Sequence, residues 1–371
     1  MSISLAASAP PEVPGAACEE RFYEDGMPAF VEAALERLYA TPMTTLLRFS
    51  QVYCLRAATT YVARSGAGIT AVIVFRRERG RLVVYNEQIA ISSAELLRFA
   101  RAAFARYPEL GVICWYAIDA RSTPLGYPCH QLGCLEDISF ALPARPALYV
   151  AMLGKNMAEK IRRFDRKLST DFGDVRKRFE SGAQVPVATI RTIIGFSTER
   201  MAGKRQRSYH SEALTLRTIA LVRRYGVVGT VSVDGALCAG IIMLRIGSSC
   251  SMMILAHDPR YDRYNLGTLC CYYGISHAIE QGAARFDFGW GRFDYKYRMA
   301  GRLTELFRLD LYRSRGAMLR ALPLLCQRSL AAWRRSVKLW LARPDSEGNR
   351  LARGVRRSLA VARRLRARWM R

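Results

Sequence analysis

The chain has 371 residues, half of them hydrophobic and 24% charged. That composition excludes a wholly disordered chain, a collagen-like repeat and a coiled-coil rod. Its 57 Lys+Arg against 31 Asp+Glu give a net charge of +26, a field that attracts nucleic acid, anionic lipid or an anionic cofactor.

In chain order, residues 1–18 read as a flexible Ala/Pro/Ser leader. Phe30, Ala33, Ala34 and Leu38 fall at helical spacing and predict a helix over 27–39. Strand signals follow at 61–64, at 69–75 beyond the Gly66–Gly68 turn, and at 81–85 beyond the turn at 76–80. Ser92 or Ser93 caps a helix over 93–107 with an apolar stripe of Leu96, Phe99, Ala100, Ala103 and Phe104. Residues 111–117 are a buried strand. Residues 120–148 carry Pro, Gly and Cys without a period and read as an irregular link between two halves. A basic helix over 153–168 sets Met157, Ile161, Phe164 and Leu168 against Lys160, Arg163, Arg166 and Lys167. Its charged face is either solvated or an anion-binding surface.

Two further helices are predicted over 189–200 and 212–225. A hairpin follows over 229–233 and 236–245, turned by Asp234-Gly235. Then come a strand at 250–256, a helix over 266–281 and a strand at 286–290. Hairpin, strand, helix, strand thus occurs near 60–117 and again near 229–290, which predicts a duplicated α/β unit. The expected organisation is a leader over 1–20, a first unit over 21–145, a second over 146–312 and a tail over 313–371.

The tail concentrates charge. From Arg313 to Arg371 there are 17 basic residues and 2 acids, a net +15 that leaves +11 for the rest. Leu319, Leu322, Leu325, Leu330, Trp333, Val337 and Trp340 mark one amphipathic helix. Leu351, Val355, Leu359, Ala362, Leu365 and Trp369 mark another, beyond the break at 344–349. Such helices over 316–371 suit an anionic membrane surface, RNA phosphate, or simple packing on the body.

The ten cysteines sit mostly inside apolar runs, such as Cys114 within 111–116, and no CxxC pair exists. They read as free thiols of a reducing compartment. Cys129, His130 and Cys134 form the one cluster of metal-ligating type, with no second ligand pair, so no metal is expected. The first 18 residues lack a basic start and an apolar core. No uncharged apolar run reaches the roughly 18 residues of a membrane span. The expected location is cytoplasmic, with membrane contact at most peripheral on the inner face.

Two stretches carry chemistry. In 257–269, a strand end leads through Asp258-Pro-Arg260 and Arg263 to Asn265, Leu266, Gly267 and Thr268 at a helix start, where open backbone N–H groups can hold phosphate oxygens. In 284–298, Asp287 sits between Phe286 and Phe288 in a strand, a position that needs a partner or a cleft. Gly289 and Gly291 allow close approach, and Tyr295 and Lys296 follow just beyond the strand end. Asp287, Tyr295 or His257 can take up or give a proton. No G-x-S-x-G nucleophile elbow is present.

The run Phe286-Asp-Phe-Gly-Trp-Gly-Arg-Phe-Asp-Tyr-Lys-Tyr-Arg298 resembles the signature of the bacterial CelD-like or BioF-like acetyltransferases, members of the GNAT superfamily related to the FemAB aminoacyltransferases. The resemblance spans about 148–308 and includes the basic helix. It implies a tandem (double) GNAT-like α/β fold with a degenerate first unit and a basic helical tail. It also implies transfer of an acyl group, usually from acetyl-CoA or another acyl-CoA as co-substrate, to an amine or hydroxyl. The acceptor suggested by analogy is a small molecule or a sugar, polysaccharide or cell-envelope precursor. By the same likeness Lys296 neutralises a phosphate or a developing oxyanion. In the GNAT phosphate loop, Arg/Gln-x-x-Gly-x-Gly/Ala, aligned on Gly267, this chain has Asp262 and Asn265 where Arg/Gln and the first Gly stand. Arg260, Arg263 or the basic helix are the candidates to restore the missing charge. Two alternatives follow from this departure: a FemAB-type transferase fed by aminoacyl-tRNA, and a non-catalytic accessory protein of envelope biosynthesis.

Overall fold

A computed structural model describes residues 19–341 except 25, 67, 121–125 and 204–210. The leader, His210 and the second tail helix expected over 351–369 lie outside the described residues. Among the described residues twelve strands form one mixed sheet: β1 (Glu19–Tyr23), β2 (Thr59–Ser65), β3 (Gly68–Glu78), β4 (Arg81–Val84), β5 (Val112–Ile118), β6 (Cys129–Ala141), β7 (Val175–Ser181), β8 (Gly226–Val233), β9 (Ala236–Ile246), β10 (Ser249–His257), β11 (Arg285–Asp287) and β12 (Arg302–Tyr312). Their order is β1-β2-β3-β4-β5-β12-β6-β11-β10-β9-β8-β7.

The expected duplication is visible in this order. Antiparallel β2-β3-β4 leads to β5, parallel to β4. Antiparallel β8-β9-β10 leads in the same way to β11, parallel to β10. At the centre the halves interleave. β6 follows β5 in sequence but pairs with β11 and β12, while β12 follows β11 but pairs with β5 and β6. The sequence position 145/146 therefore divides the chain but not the sheet.

The stretch read as an irregular link contains β6, a 13-residue strand near the middle of the sheet. Its period is broken where the register shifts between β12 Leu306 and Phe307, past Cys134. Beyond that shift, Ile138 and Phe140 alternate with Asp137 and Ser139, and all four are buried. Both faces are buried there, and the one that carries Asp137 and Ser139 is polar, so the apolar run of a central strand is diluted.

Helices cover both faces. In the first half, α1 (Phe30–Tyr39) and α2 (Leu46–Val52) pack on Val62, Val72 and Val74. On the other face α3 (Ser93–Arg106), capped by Ser92, packs on Tyr61, Phe75 and Trp115. In the second half α4 (Pro146–Met152), α5 (Lys155–Asp171) and α8 (Leu266–Glu280) share a core with Cys238, Ile241, Met243 and Phe286. α6 (Val187–Gly203) and α7 (Glu212–Tyr225) cover the opposite face, where α6 Ile190 and Ile193 meet Val228, Ile242 and Ile254. Gly240 makes that approach possible. A Cβ there would stand 2.3 Å from Ile193 Cδ1.

α9 (Asp294–Arg298) follows β11, and α10 (Arg315–Arg320) and α11 (Leu322–Leu341) follow β12. α11 packs on the body through Leu325, which joins Val112, Cys114 and Tyr312. Arg328 pairs with the fully buried Asp310, Ser329 meets His130 at 3.1 Å, and Arg335 pairs with Glu136 at 2.8 Å. A buried carboxylate is costly unless paired, so these contacts fix the helix against the centre of the sheet. No described helix is long and apolar enough to cross a membrane.

Candidate active site

The site follows from where parallel pairing stops. β10 and β11 pair at Ser249–Arg285, Cys250–Phe286 and Ser251–Asp287, and nowhere further along β10. β10 runs on to His257 with β9 on its other side, and Met253 is an extra residue between Met252 and Ile254 in that register. Such a bulge bends its strand. Meanwhile the chain leaves β11 through Gly289 and Gly291, both with positive φ (68° and 94°). The two strands therefore splay, and the β10 edge from Met252 onward has no strand partner on the β11 side among the described residues.

The corresponding gap in the first half is closed. After β4, Gln88 N donates to Ala117 O at 2.7 Å and Asp119 N to Ile89 O at 2.8 Å, with an Ala90–Asp119 bridge beyond. The buried Asn86 ties the same segment to β3 through Val72 O and Val74 N. One half is open where the other is stitched shut.

Asp287 lies at the floor of the open cleft. Its register partners are Ser251 on β10 and Ser139 on β6, with Asp137 two residues along β6 on the same face. Its Oδ1 accepts a 2.6 Å hydrogen bond from Gly289 N. Arg285 donates to Asp137 Oδ2 and to Ser139 Oγ, both at 2.8 Å. Burial, first, and then the Asp137 carboxyl hold the Asp287 carboxyl well above the usual carboxylate range. Asp137 Oδ1 is buried with no other donor. The Asp287 carboxyl therefore stands beside a second, buried carboxyl on the neighbouring strand.

Lys296 is on α9 and only 2% exposed. Its Nζ donates to the carbonyls of Phe288 (2.9 Å), Gly289 (3.0 Å) and Trp290 (2.7 Å). Burial lowers its pKa to about 8, opposed by Asp287 and Asp137, so it carries its charge at neutral pH. An ammonium has three protons, and the loop takes all three. Lys296 thus holds the 288–290 turn in place and has no donor left for a phosphate or oxyanion. Tyr295 points elsewhere, its ring beside Phe288 and Phe293 and packed on the α8 side of the core. Burial raises its phenol pKa.

The other end of the cleft is the turn from β10 into α8. Asn265 adopts the left-handed conformation (φ 55°), which Asn tolerates better than most residues other than Gly. The turn keeps its shape without the family glycine. Asn265 O accepts from Thr268 N and Leu269 N, and its Oδ1 accepts from Thr268 Oγ1 at 2.9 Å. The amides of Leu266 and Gly267 have no acceptor among the described residues. His257 lies against this helix start, its Nδ1 3.3 Å from where a Gly267 Cβ would stand, buried and unpartnered. Its Nε2 is 2.8 Å from Asp262 Oδ1. Arg260 is held by Asp258 at 2.6–2.9 Å, while Arg263 and, from α5, Lys167 flank the Tyr264 ring at 4.8 and 5.3 Å. Tyr264 OH donates to Asp171 of α5 at 2.8 Å, which seats the basic helix beside the turn.

The structure thus separates the candidates into three places. Asp287 is on the cleft floor. Lys296 and Tyr295 support the wall. His257, Asn265, Leu266, Gly267 and Thr268 form the phosphate-type end, with Arg263 beside it and Arg260 held at its entry by Asp258. Asp137, Ser139 and Arg285 complete the floor, and sequence reasoning passed over the first two because β6 was not read as a strand. Among the described residues no group of three His, Cys, Asp or Glu is placed to hold a metal ion.

Residues 155–297 match the family model described as an acetyltransferase (GNAT) domain. No curated protein sequence matches the chain. Among solved structures, FemX is 10% identical over 78% of this chain and 96% of its own, with a TM-score of 0.55. The L-PGS of Bacillus licheniformis is 15% identical over 84% of this chain and 98% of its own, with a TM-score of 0.47. A tandem GNAT protein from the clavulanic acid biosynthesis pathway is 12% identical over 78% of this chain and 98% of its own, with a TM-score of 0.37. At 10% identity the likeness to FemX is one of fold. The chain has an α/β fold of two like units, and its residues 155–297 match the acetyltransferase (GNAT) domain, the module of an acyltransferase enzyme.

Proposed function

We propose that the second half transfers an acyl group from acyl-CoA to an amine or hydroxyl, with the Asp287–Asp137 pair as the proton-handling group. The observation that carries this reading is the open β10–β11 cleft, with a protonatable carboxyl pair at one end and a helix N-terminus at the other. In acyl transfer the acceptor's N–H or O–H proton must leave and the departing thiolate must gain one. A buried carboxyl that takes the first proton and returns it to the thiolate serves both steps without a net change in charge. Acyl-CoA supplies the activated thioester. The Leu266 and Gly267 amides suit its phosphates, with Arg263 and Lys167 as nearby cations. The unpartnered β10 edge near Met253 suits the acyl carbonyl.

The acceptor proposed is a sugar, polysaccharide or cell-envelope precursor, in keeping with the CelD-like or BioF-like resemblance. Trp290 and Phe293, 64% and 58% exposed on the loop after β11, offer flat apolar surfaces for a ring or chain to pack on. A second reading, aminoacyl transfer from tRNA, is favoured by one observation: Asp262, where the phosphate loop carries Arg or Gln, is a carboxylate tied to His257.

Thermal stability with acetyl-CoA, a longer acyl-CoA, free CoA and bulk tRNA, at low and moderate salt, separates the two. A ligand of the folded state at 100 times its Kd stabilises by about 2.7 kcal/mol. A CoA-dependent shift that survives moderate salt supports the first reading. A shift with tRNA alone supports the second. No shift with any of them overturns both and leaves a non-catalytic accessory role.

A further inference from the structure

The contacts of α11 divide its surface into parts with different fates. Leu325, Arg328, Ser329 and Arg335 face the body and are consumed by it. Leu319 on α10 and Leu322, Leu330 and Trp333 on α11 do not: they are 68%, 52%, 46% and 63% exposed. On α11, Leu322, Cys326, also exposed, Leu330 and Trp333 recur at spacings of 4, 4 and 3 residues, one helical face about 17 Å long that Leu319 of α10 precedes. Scattered exposed leucines need no explanation, but a contiguous apolar face does. Arg315, Arg320, Arg334 and Lys338 are exposed around it, and no acid occurs in α10 or α11.

We infer that this face docks on an anionic lipid surface, with α10 and α11 lying in the plane of the headgroups. Charge decides among the occupants. A second copy of the chain would bring one arginine-rimmed face against another. Residues 342–371 carry ten arginines and two acids, so folding them back on α11 would set like charges together. An anionic bilayer takes the apolar stripe into the boundary of its acyl chains and the guanidinium groups among its headgroups, the arrangement of an interfacial basic amphipathic helix. The strongly positive 342–371 adds attraction to the same surface. The inference does not rest on the acyltransferase reading.

The test is co-sedimentation of the full chain with vesicles of phosphatidylcholine alone and with 30% phosphatidylglycerol. The wild type should bind the anionic vesicles at least tenfold more tightly. The double variant Leu330→Glu/Trp333→Glu should lose at least tenfold of that affinity, with its circular dichroism and melting temperature unchanged because neither side chain supports the body. The double variant Arg334→Gln/Lys338→Gln should weaken binding to the anionic vesicles and leave binding to neutral ones as it was. Equal binding of wild type and Leu330→Glu/Trp333→Glu overturns the inference. So does a concentration-dependent dimer that the Glu variant dissociates, or binding to RNA, but not to vesicles, that the Glu variant abolishes.

Discussion

Asp287 is the residue whose ionisation is coupled to stability and, in the proposed function, to chemistry. Replacing it by Asn keeps its shape and its bond from Gly289 but removes its ionisable carboxyl. Its turnover should fall by about 10² to 10⁴, the usual contribution of a positioned acid or base, once an acceptor is in hand. The stability effect needs no substrate. Asp287 has its folded pKa raised above the unfolded value, so the stability it contributes is complete below the unfolded pKa and is lost as pH rises through the folded one. The wild type should therefore lose more stability than Asp287→Asn between pH 5 and pH 8. Urea midpoints at the two pH values measure this, and parallel pH dependences would remove Asp287 as the proton-handling group. Lys296 makes the opposite case. It stands in the family-like signature beside Asp287, yet its charge serves three backbone carbonyls, a use that no spacing of residues reveals.

The 288–290 turn is an element whose three carbonyls are all gathered by one side chain, Lys296. Lys296→Met fills the same volume and leaves three inward carbonyls without a donor. At about 1–3 kcal/mol for a buried polar group left unpaired, the loss should be at least about 2 kcal/mol in urea denaturation, accompanied by faster proteolysis near Trp290. A variant with wild-type stability would show that water replaces the ammonium and that the turn needs no latch. Elements with a clean period were legible in advance: α3, α7, α8, the β8–β9 hairpin and the repeat they imply all lie within a few residues of their predicted places. The misses have physical causes. β6 hid because one of its two buried faces is polar, and β12 because Leu303, Glu305 and Arg302 at its start give no alternation. The strand expected over 286–290 ends at Asp287, since Gly289 and Gly291 turn the chain away. Asp287, the Asn265–Thr268 turn and the basic helix could be named from sequence. Asp137 could not, because its pairing with Asp287 exists only across β6 and β11.

At the scale of the molecule, the interleaved centre makes the halves depend on one another. The first half without β12 leaves β5 with a bare edge, and the second half without β6 leaves β11 and β12 without the strand between them. Residues 1–145 and 146–371 expressed separately should each be insoluble or lack a cooperative melting transition, and co-expression should restore a soluble pair. Two independently folding halves would show that the exchange is dispensable. Long apolar edges of this kind are the usual sites of misassembly. The same interleaving explains how one half can lose its cleft without loss of fold: the closed β4–β5 gap still supplies the wall on which β12, and through it β6 and Asp137, are placed.

The position of β12 also sets a timetable for biosynthesis. The last residue of β5 leaves the ribosome about 190 residues before the last of β12, an interval on the order of 10–40 s at ordinary elongation rates. Throughout it the nascent chain offers an unpaired strand edge whose proper neighbour has yet to be translated. The next strand made is β6, only about ten residues on, and its own place is one position further out. A β5–β6 hairpin is thus the nearest available error, and reaching the finished protein means keeping a vacancy open, or reopening it, until the C-terminal strand arrives to fill it.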